Sequence, residues 1–99
     1  MSNQIRVVQC GMGIQGQLVA KIIARKKSLS LVGAVDANPE LIGKDVRTAS
    51  GNNIKIQGEL SMVLEQTKPD IVLIATVKDP NVIYDLAKTC VRAKANVFS

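Results

Sequence analysis

Hydrophobic and polar positions change their period several times along the chain, and each change predicts an element. Ile5-Arg6-Val7-Val8-Gln9-Cys10 is a short β-branched run stopped by Gly11, the pattern of a strand entering a tight turn. Leu18, Val19, Ile22 and Ile23 then recur at helical spacing and predict a helix that lays this stripe on a sheet. Leu31-Val32-Gly33-Ala34-Val35 is apolar almost without a break, as expected of a parallel strand covered on both faces, and it ends at Asp36. Asn38 as N-cap, Pro39 at the first helical position, and Leu41, Ile42 and Val46 on one face predict a second helix, weakened by Gly43. Ser50-Gly51-Asn52-Asn53 has loop composition, Ile54-Lys55-Ile56 alternates like a short strand, and Leu60, Val63 and Leu64 predict a short helix before Lys68-Pro69. Ile71-Val72-Leu73-Ile74-Ala75 reads as the clearest buried strand. Asp79-Pro80 opens a helix through Val82, Ile83, Leu86, Ala87 and Cys90 or Val91 to about Ala93, and Asn96-Val97-Phe98 begins a last strand. Strand and helix thus alternate, about five of the first and four of the second, which predicts an α/β fold with a parallel sheet, right-handed crossovers and helices on both faces.

Composition narrows the function. The 99 residues are 46% hydrophobic with one Phe and one Tyr, so they make one domain, residues 1–99, with no room for a second. The longest apolar run, residues 71–75, is far short of the roughly 20 residues that cross a bilayer, and Met1-Ser2-Asn3-Gln4 does not read as a signal peptide. A cytoplasmic protein with no membrane partner is therefore expected. Thirteen basic and eight acidic residues give a net charge of +5, but Lys and Arg are scattered, and Arg25-Lys26-Lys27 sits where a helix end favours cations. With no basic stripe and no aromatic platform, no nucleic-acid partner is expected. Cys10 and Cys90 lack metal-ligand spacing and the chain has no His, so no metal site is expected and both thiols read as small buried hydrophobes.

The chemistry lies in the first turn. Gly11-Met12-Gly13-Ile14-Gln15-Gly16 is a complete G-x-G-x-x-G between a predicted strand and a predicted helix. Gly11 permits the tight turn, Gly13 lacks the Cβ that would block a pyrophosphate, and Gly16 lets the helix pack closely on the strand. The helix beginning near Ile14 aims free N–H groups and its positive dipole end at the phosphates. Asp36, 20 residues after Gly16 at the end of the second strand, can accept hydrogen bonds from both ribose hydroxyls of an adenosine. Taken alone, the glycine run could be a mere chain reversal and Asp36 the start of a turn; the combination of strand, helix and spaced acid points to a dinucleotide. The expected cofactor is NAD or NADP with NAD preferred, since Asp36 repels a 2′-phosphate and Lys44 or Arg47 would need the loop to bring them back. The fold this implies is a Rossmann-like doubly wound sheet in the order 3-2-1-4-5. In such a sheet Ala75 and Thr76, at the end of the fourth predicted strand, border the crevice and line the nicotinamide ribose, or else Thr76 is a plain strand-end residue; Lys78 reads as a solvated loop charge.

Residues 5–99 resemble the amino-terminal domain of the 2,4-diaminopentanoate dehydrogenases, relatives of dihydrodipicolinate reductase. The resemblance is carried by residues 5–13, Val32-Gly33-Ala34-Val35-Asp36, Ile42-Gly43-Lys44-Asp45-Val46, Thr67-Lys68-Pro69-Asp70-Ile71-Val72-Leu73 and Ala95-Asn96-Val97. It implies NAD(P)-dependent oxidative deamination of 2,4-diaminopentanoate to 2-amino-4-oxopentanoate. It places the family's cofactor turn on residues 11–16, its ribose acid on Asp36 and its strand-end loop on residues 75–77. The family's catalytic half follows the fifth strand, so the implied partner is a carboxyl-terminal substrate domain, and the 99 residues alone should bind without turnover. Reductases acting on dihydrodipicolinate share this half but carry a turn rich in Arg-Met-Gly, where this chain has Gln15.

Two other readings use the same residues: a stand-alone NAD(H)-sensing module, and a methyltransferase, whose fold also employs a glycine turn and a ribose acid. A sheet that ends at Asn96-Val97-Phe98 leaves an open edge, from which a homo-oligomer is expected.

Overall fold

The computed structural model describes residues 4–47, 53–75, 81, 89 and 96–98. Six strands form one sheet: β1 (Ile5–Cys10), β2 (Leu29–Val35), β3 (Asp45–Arg47), β4 (Asn53–Gln57), β5 (Ile71–Ile74) and β6 (Asn96–Phe98). Their order is β3-β4-β2-β1-β5-β6, so the predicted 3-2-1-4-5 arrangement is present as its last five members. Those five pair in parallel, each with the carboxyl end on the same rim. Helix α1 (Ile14–Arg25) covers one face and α2 (Leu60–Thr67) the other. Of the predicted helix near residues 80–93, Asn81 and Thr89 are described and both are helical; the rest, with Cys90, lies outside the described residues. Among the described residues no helix is long and apolar enough to cross a membrane.

The helix expected over residues 38–46 does not form. Asn38 Oδ1 accepts the Glu40 N–H at 3.0 Å, and the Asn38 carbonyl accepts the N–H groups of Leu41 and Ile42, which closes one turn and no more. Gly43 then adopts a φ of +92°, donates its N–H to the Ile56 carbonyl and turns the chain back. Asp45–Arg47 pairs antiparallel with β4, which supplies backbone partners that a weak helix would lack. Leu41 and Val46, predicted to share a helical face, instead pack from the turn and from β3 against the α1-side core.

A second correction concerns α1. Its buried residues are Gly16, Ala20 and Ile23, with Val19 half-buried, whereas Leu18 and Ile22 of the predicted stripe are 55% and 54% exposed. Small residues at Gly16 and Ala20 let the helix axis settle close to the sheet, and this rotation turns Leu18 and Ile22 outward. The core is accordingly built in two layers. Val7, Met12, Ala20, Ile23, Leu31, Ala34 and Ile56 lie on the α1 side, and Val8, Cys10, Val35, Leu60, Val63, Leu64, Val72 and Ile74 on the α2 side.

The β1–β2 ladder slips by one residue, with Val7 opposite Leu31 and Val8 opposite Gly33, so Val32 is the extra residue of a bulge. Val32 and Gly33 both meet the α2 side as a result. Beyond α2, Lys68 at φ 46° turns the chain into β5, and Asp70 locks that entry to β1 by accepting the Arg6 N–H while its own N–H donates to the Arg6 carbonyl, each at 2.9 Å. The Lys68-Pro69-Asp70 piece therefore has a structural role in aligning β5 with β1.

A Cβ on Gly33 would lie 2.6 Å from Val63 Cγ1 and 3.1 Å from Val8 Cγ2, so α2 seats against bare backbone. Gly33→Ala is expected to lower unfolding free energy by about 1–3 kcal/mol through overpacking, measured by urea titration. A variant as stable as the parent would show that α2 does not depend on this contact.

Candidate functional site

Three backbone hydrogen bonds join the carboxyl ends of four strands into one rim. The Gly11 N–H donates to Val35 O at 2.8 Å, the Ala75 N–H to Cys10 O at 2.8 Å, and the Asp36 N–H to Gln57 O at 3.0 Å. The chain that leaves β1 must reverse here to enter α1, and Gly11 does so at φ +100°, where a side chain would be strained. Gly13 is the N-cap of α1, and its carbonyl accepts the first helical bond, from the Gln17 N–H at 2.8 Å. Among the described residues no side chain caps this end, and no acidic residue stands in the first turn, so the amides of residues 14–16 and the positive end of the helix dipole make it attractive to an anion.

The glycines differ in what surrounds them. A Cβ on Gly16 would collide with the carbonyl of Gly11, so the start of α1 lies directly on the turn. A Cβ on Gly13 would meet nothing within 4 Å among the described residues. Among these residues the space beside Gly13 is open, as backbone approach by a diphosphate requires. Ile14 is 85% exposed and Gln15 is exposed beside it, whereas Met12 is fully buried. Met12 therefore builds the site from beneath, with its side chain in the α1-side core.

Asp36 is half-buried at the end of β2. Its Oδ2 accepts the Met12 N–H at 2.7 Å and its Oδ1 accepts the Asn38 N–H at 2.8 Å. The carboxylate thus ties the glycine turn to the loop after β2, and each oxygen keeps lone-pair capacity for a ribose hydroxyl. The two readings of Asp36, turn former and ribose acid, are compatible in one geometry.

Two glutamines belong to the site and were not singled out by motif. Gln9 is fully buried on the α1 side of β1, and its Nε2 donates to the Gly11 carbonyl at 3.0 Å and the Gly16 carbonyl at 2.6 Å, with Met12 S at 3.4 Å. Its Oε1 has no partner among the described residues. Gln17 Nε2 donates to the Met12 carbonyl at 3.1 Å. The available signal was a polar residue in the middle of a buried strand, which a hydrophobic-pattern reading passes over.

Beside the turn lies a cavity of about 330 Å³ lined by Met12, Gln17, Lys21, Lys44, Asp45 and Arg47, among others. The β3 hairpin brings Lys44 and Arg47 back to the wall shared with the glycine turn, which the sequence left open. Asp45 is paired with Lys55 at 3.1 Å, both well exposed. Ala75 stands on the rim next to Cys10; Thr76, Val77 and Lys78 lie outside the described residues. Asp36→Ala removes acceptors from the buried Met12 N–H and from the Asn38 N–H, and is expected to cost about 1–3 kcal/mol of stability in urea unfolding. An unchanged midpoint would mean that the carboxylate does not hold the turn.

Comparison with known proteins places this geometry in a lineage. Residues 5–98 match the family model described as dihydrodipicolinate reductase, N-terminus. The 4-hydroxy-tetrahydrodipicolinate reductase of Dehalococcoides mccartyi is 38% identical over 71 residues, and that of Listeria innocua serovar 6a is 36% identical over 78 residues. These alignments cover 72% and 78% of this chain but only 27% and 29% of those proteins. Among solved structures, an amine dehydrogenase from Mycobacterium smegmatis is similar with a TM-score of 0.80 and 28% identity, over 94% of this chain and 28% of that one. A Rex-family repressor shares the fold, with a TM-score of 0.78 at 24% identity over 94% of this chain and 43% of that one. With its Rossmann-like sheet and its match across residues 5–98, the chain belongs to the dihydrodipicolinate reductase amino-terminal family.

Proposed function

We propose that the chain binds NAD(P) and is the cofactor half of an oxidoreductase that deaminates 2,4-diaminopentanoate to 2-amino-4-oxopentanoate. The observation that carries the binding is the open space at Gly13 in front of the uncapped amino end of α1, with Asp36 hydrogen-bonded to the same turn. The residues present fit the group. The backbone of residues 11–16 would hold the diphosphate, Asp36 the adenosine ribose, and residues 75–77 the nicotinamide side. When bound, the nicotinamide supplies the hydride acceptor for amine oxidation. The rest of a longer protein would supply substrate contacts and acid/base groups. Support for an amine substrate comes from the likeness to the amine dehydrogenase, and support for a dihydrodipicolinate-type alternative comes from the curated reductases.

Asp36 favours NAD, because a carboxylate facing the ribose repels a 2′-phosphate. Lys44 and Arg47 on the neighbouring cavity wall oppose that preference and make NADPH an acceptable second ligand.

Titration followed by NADH emission is expected to show saturable binding that Gly13→Val abolishes; the chain has no Trp to add background. NADPH is expected to bind about tenfold more weakly, a gap that Asp36→Ala narrows and that Lys44→Ala with Arg47→Ala widens. Absence of saturable NADH and NADPH binding would refute the assignment. For the substrate, a full-length protein carrying this chain is expected to reduce NAD with 2,4-diaminopentanoate; turnover of 4-hydroxy-tetrahydrodipicolinate alone would move it to the reductases.

A further inference from the structure

Resting on the dinucleotide reading, we infer that Gln9 is a positioning residue of the cofactor site, clamping the Gly11–Met12 peptide so that its carbonyl points away from the ligand. A peptide unit is planar, and its C=O and N–H point in opposite directions. In the Gly11–Met12 unit the carbonyl accepts from Gln9 Nε2 at 3.0 Å, and the N–H donates to Asp36 Oδ2 at 2.7 Å. The unit is therefore held at both ends, by a buried amide on one side and by the proposed ribose acid on the other. Gly11 at φ +100° carries no side chain to prevent rotation of this peptide. Rotation would turn a carbonyl dipole toward the diphosphate and release the amide from Asp36.

The second hydrogen of the same amide extends the clamp. Gln9 Nε2 donates to the Gly16 carbonyl at 2.6 Å, in the first turn of α1. One side chain thus ties the turn to the helix whose amides face the proposed diphosphate. Gln9 connects β1, the turn and α1, and through the peptide it connects them to Asp36.

The other end of the Gln9 side chain takes no part in the clamp. Its Oε1 is buried with no partner among the described residues, an arrangement that costs free energy. An apolar side chain of the same length would remove that cost while taking the donor from the buried Gly11 carbonyl, so the two effects on stability oppose each other. The effect on the turn should not be small. This separates a positioning role from a purely structural one.

The test compares the 99-residue chain with Gln9→Met and, should that variant not fold, with Gln9→Asn, whose amide is one methylene too short to reach both carbonyls. Chemical-shift titrations with NADH, ADP-ribose and adenosine are run beside thermal unfolding and amide hydrogen exchange of residues 11–17. The expected result is a melting temperature within about 5 °C of the parent. NADH and ADP-ribose affinity should fall about tenfold, the size of one good hydrogen bond, while adenosine affinity stays within about twofold. Amide exchange in the turn should be faster. Unchanged NADH affinity, or equal losses for NADH and adenosine, would overturn the inference. If the parent binds no dinucleotide while Gly13→Val is folded, the dinucleotide reading fails by itself; the clamp is then decided by amide exchange, faster in the variant supporting it and unchanged refuting it.

Discussion

The structure depends on how closely α1 can approach the turn that launches it. Gly16 lies so near the Gly11 carbonyl that no side chain fits between them, and Ala20 continues the small face one turn later. This approach sets the helix axis, and the axis sets the rest. It decides which residues of α1 enter the core, it aims the amino end of the helix along the carboxyl rim, and it brings the Gly16 carbonyl within reach of Gln9. A larger residue at Gly16 would lift the helix and undo packing and site together.

Around that contact the fold solves a problem of polar groups in a dry place. A tight turn at the end of a central strand leaves carbonyls and amides that neither helix nor sheet can pair. Gln9 and Gln17 supply donors for the carbonyls of Gly11 and Met12, Gln9 also reaches the Gly16 carbonyl inside α1, and Asp36 supplies the acceptor for the Met12 amide. What remains unpaired by intrahelical bonds is the set of amides at the start of α1, and these face the open side next to Gly13. The carbonyls inside the turn thus meet side-chain donors, whereas the amides at the start of α1 have no side-chain cap among the described residues. Near the turn a carboxylate at Asp36 and the cations Lys44 and Arg47 are brought together by β2 and the β3 hairpin, the cations on the cavity wall.

Much of this was legible along the chain, for identifiable reasons. The strands at residues 5–10, 31–35, 54–56 and 71–74 are short runs dominated by apolar residues with nowhere else to go, and the helix at Leu60–Thr67 has its apolar residues at unambiguous spacing. The glycine spacing and Asp36 are local chemistry and were visible as such. The segment after Asn38 was misread because Asn-Pro-Glu starts a helix as well as it starts a turn. The choice fell to β4, whose free edge offered residues 45–47 a ladder, and to Gly43. Leu18 and Ile22 were misassigned because hydrophobic spacing says that a helix has an apolar side but not which small residues will press on the sheet.

By itself the sequence determined the parallel strands, helices α1 and α2, and the place of the glycine turn between a strand and a helix, and it implied the strand order only through the doubly wound fold that this turn signals. The local elements follow from periodicity and from backbone freedom, which act over a few residues. Tertiary structure alone decided that residues 45–47 join the sheet, that Lys44 and Arg47 return to the turn, and that Gln9 reaches across to Gly16. Each of these depends on groups far apart in the chain meeting in space, where an unpaired edge or a buried carbonyl selects its partner by proximity and not by local propensity.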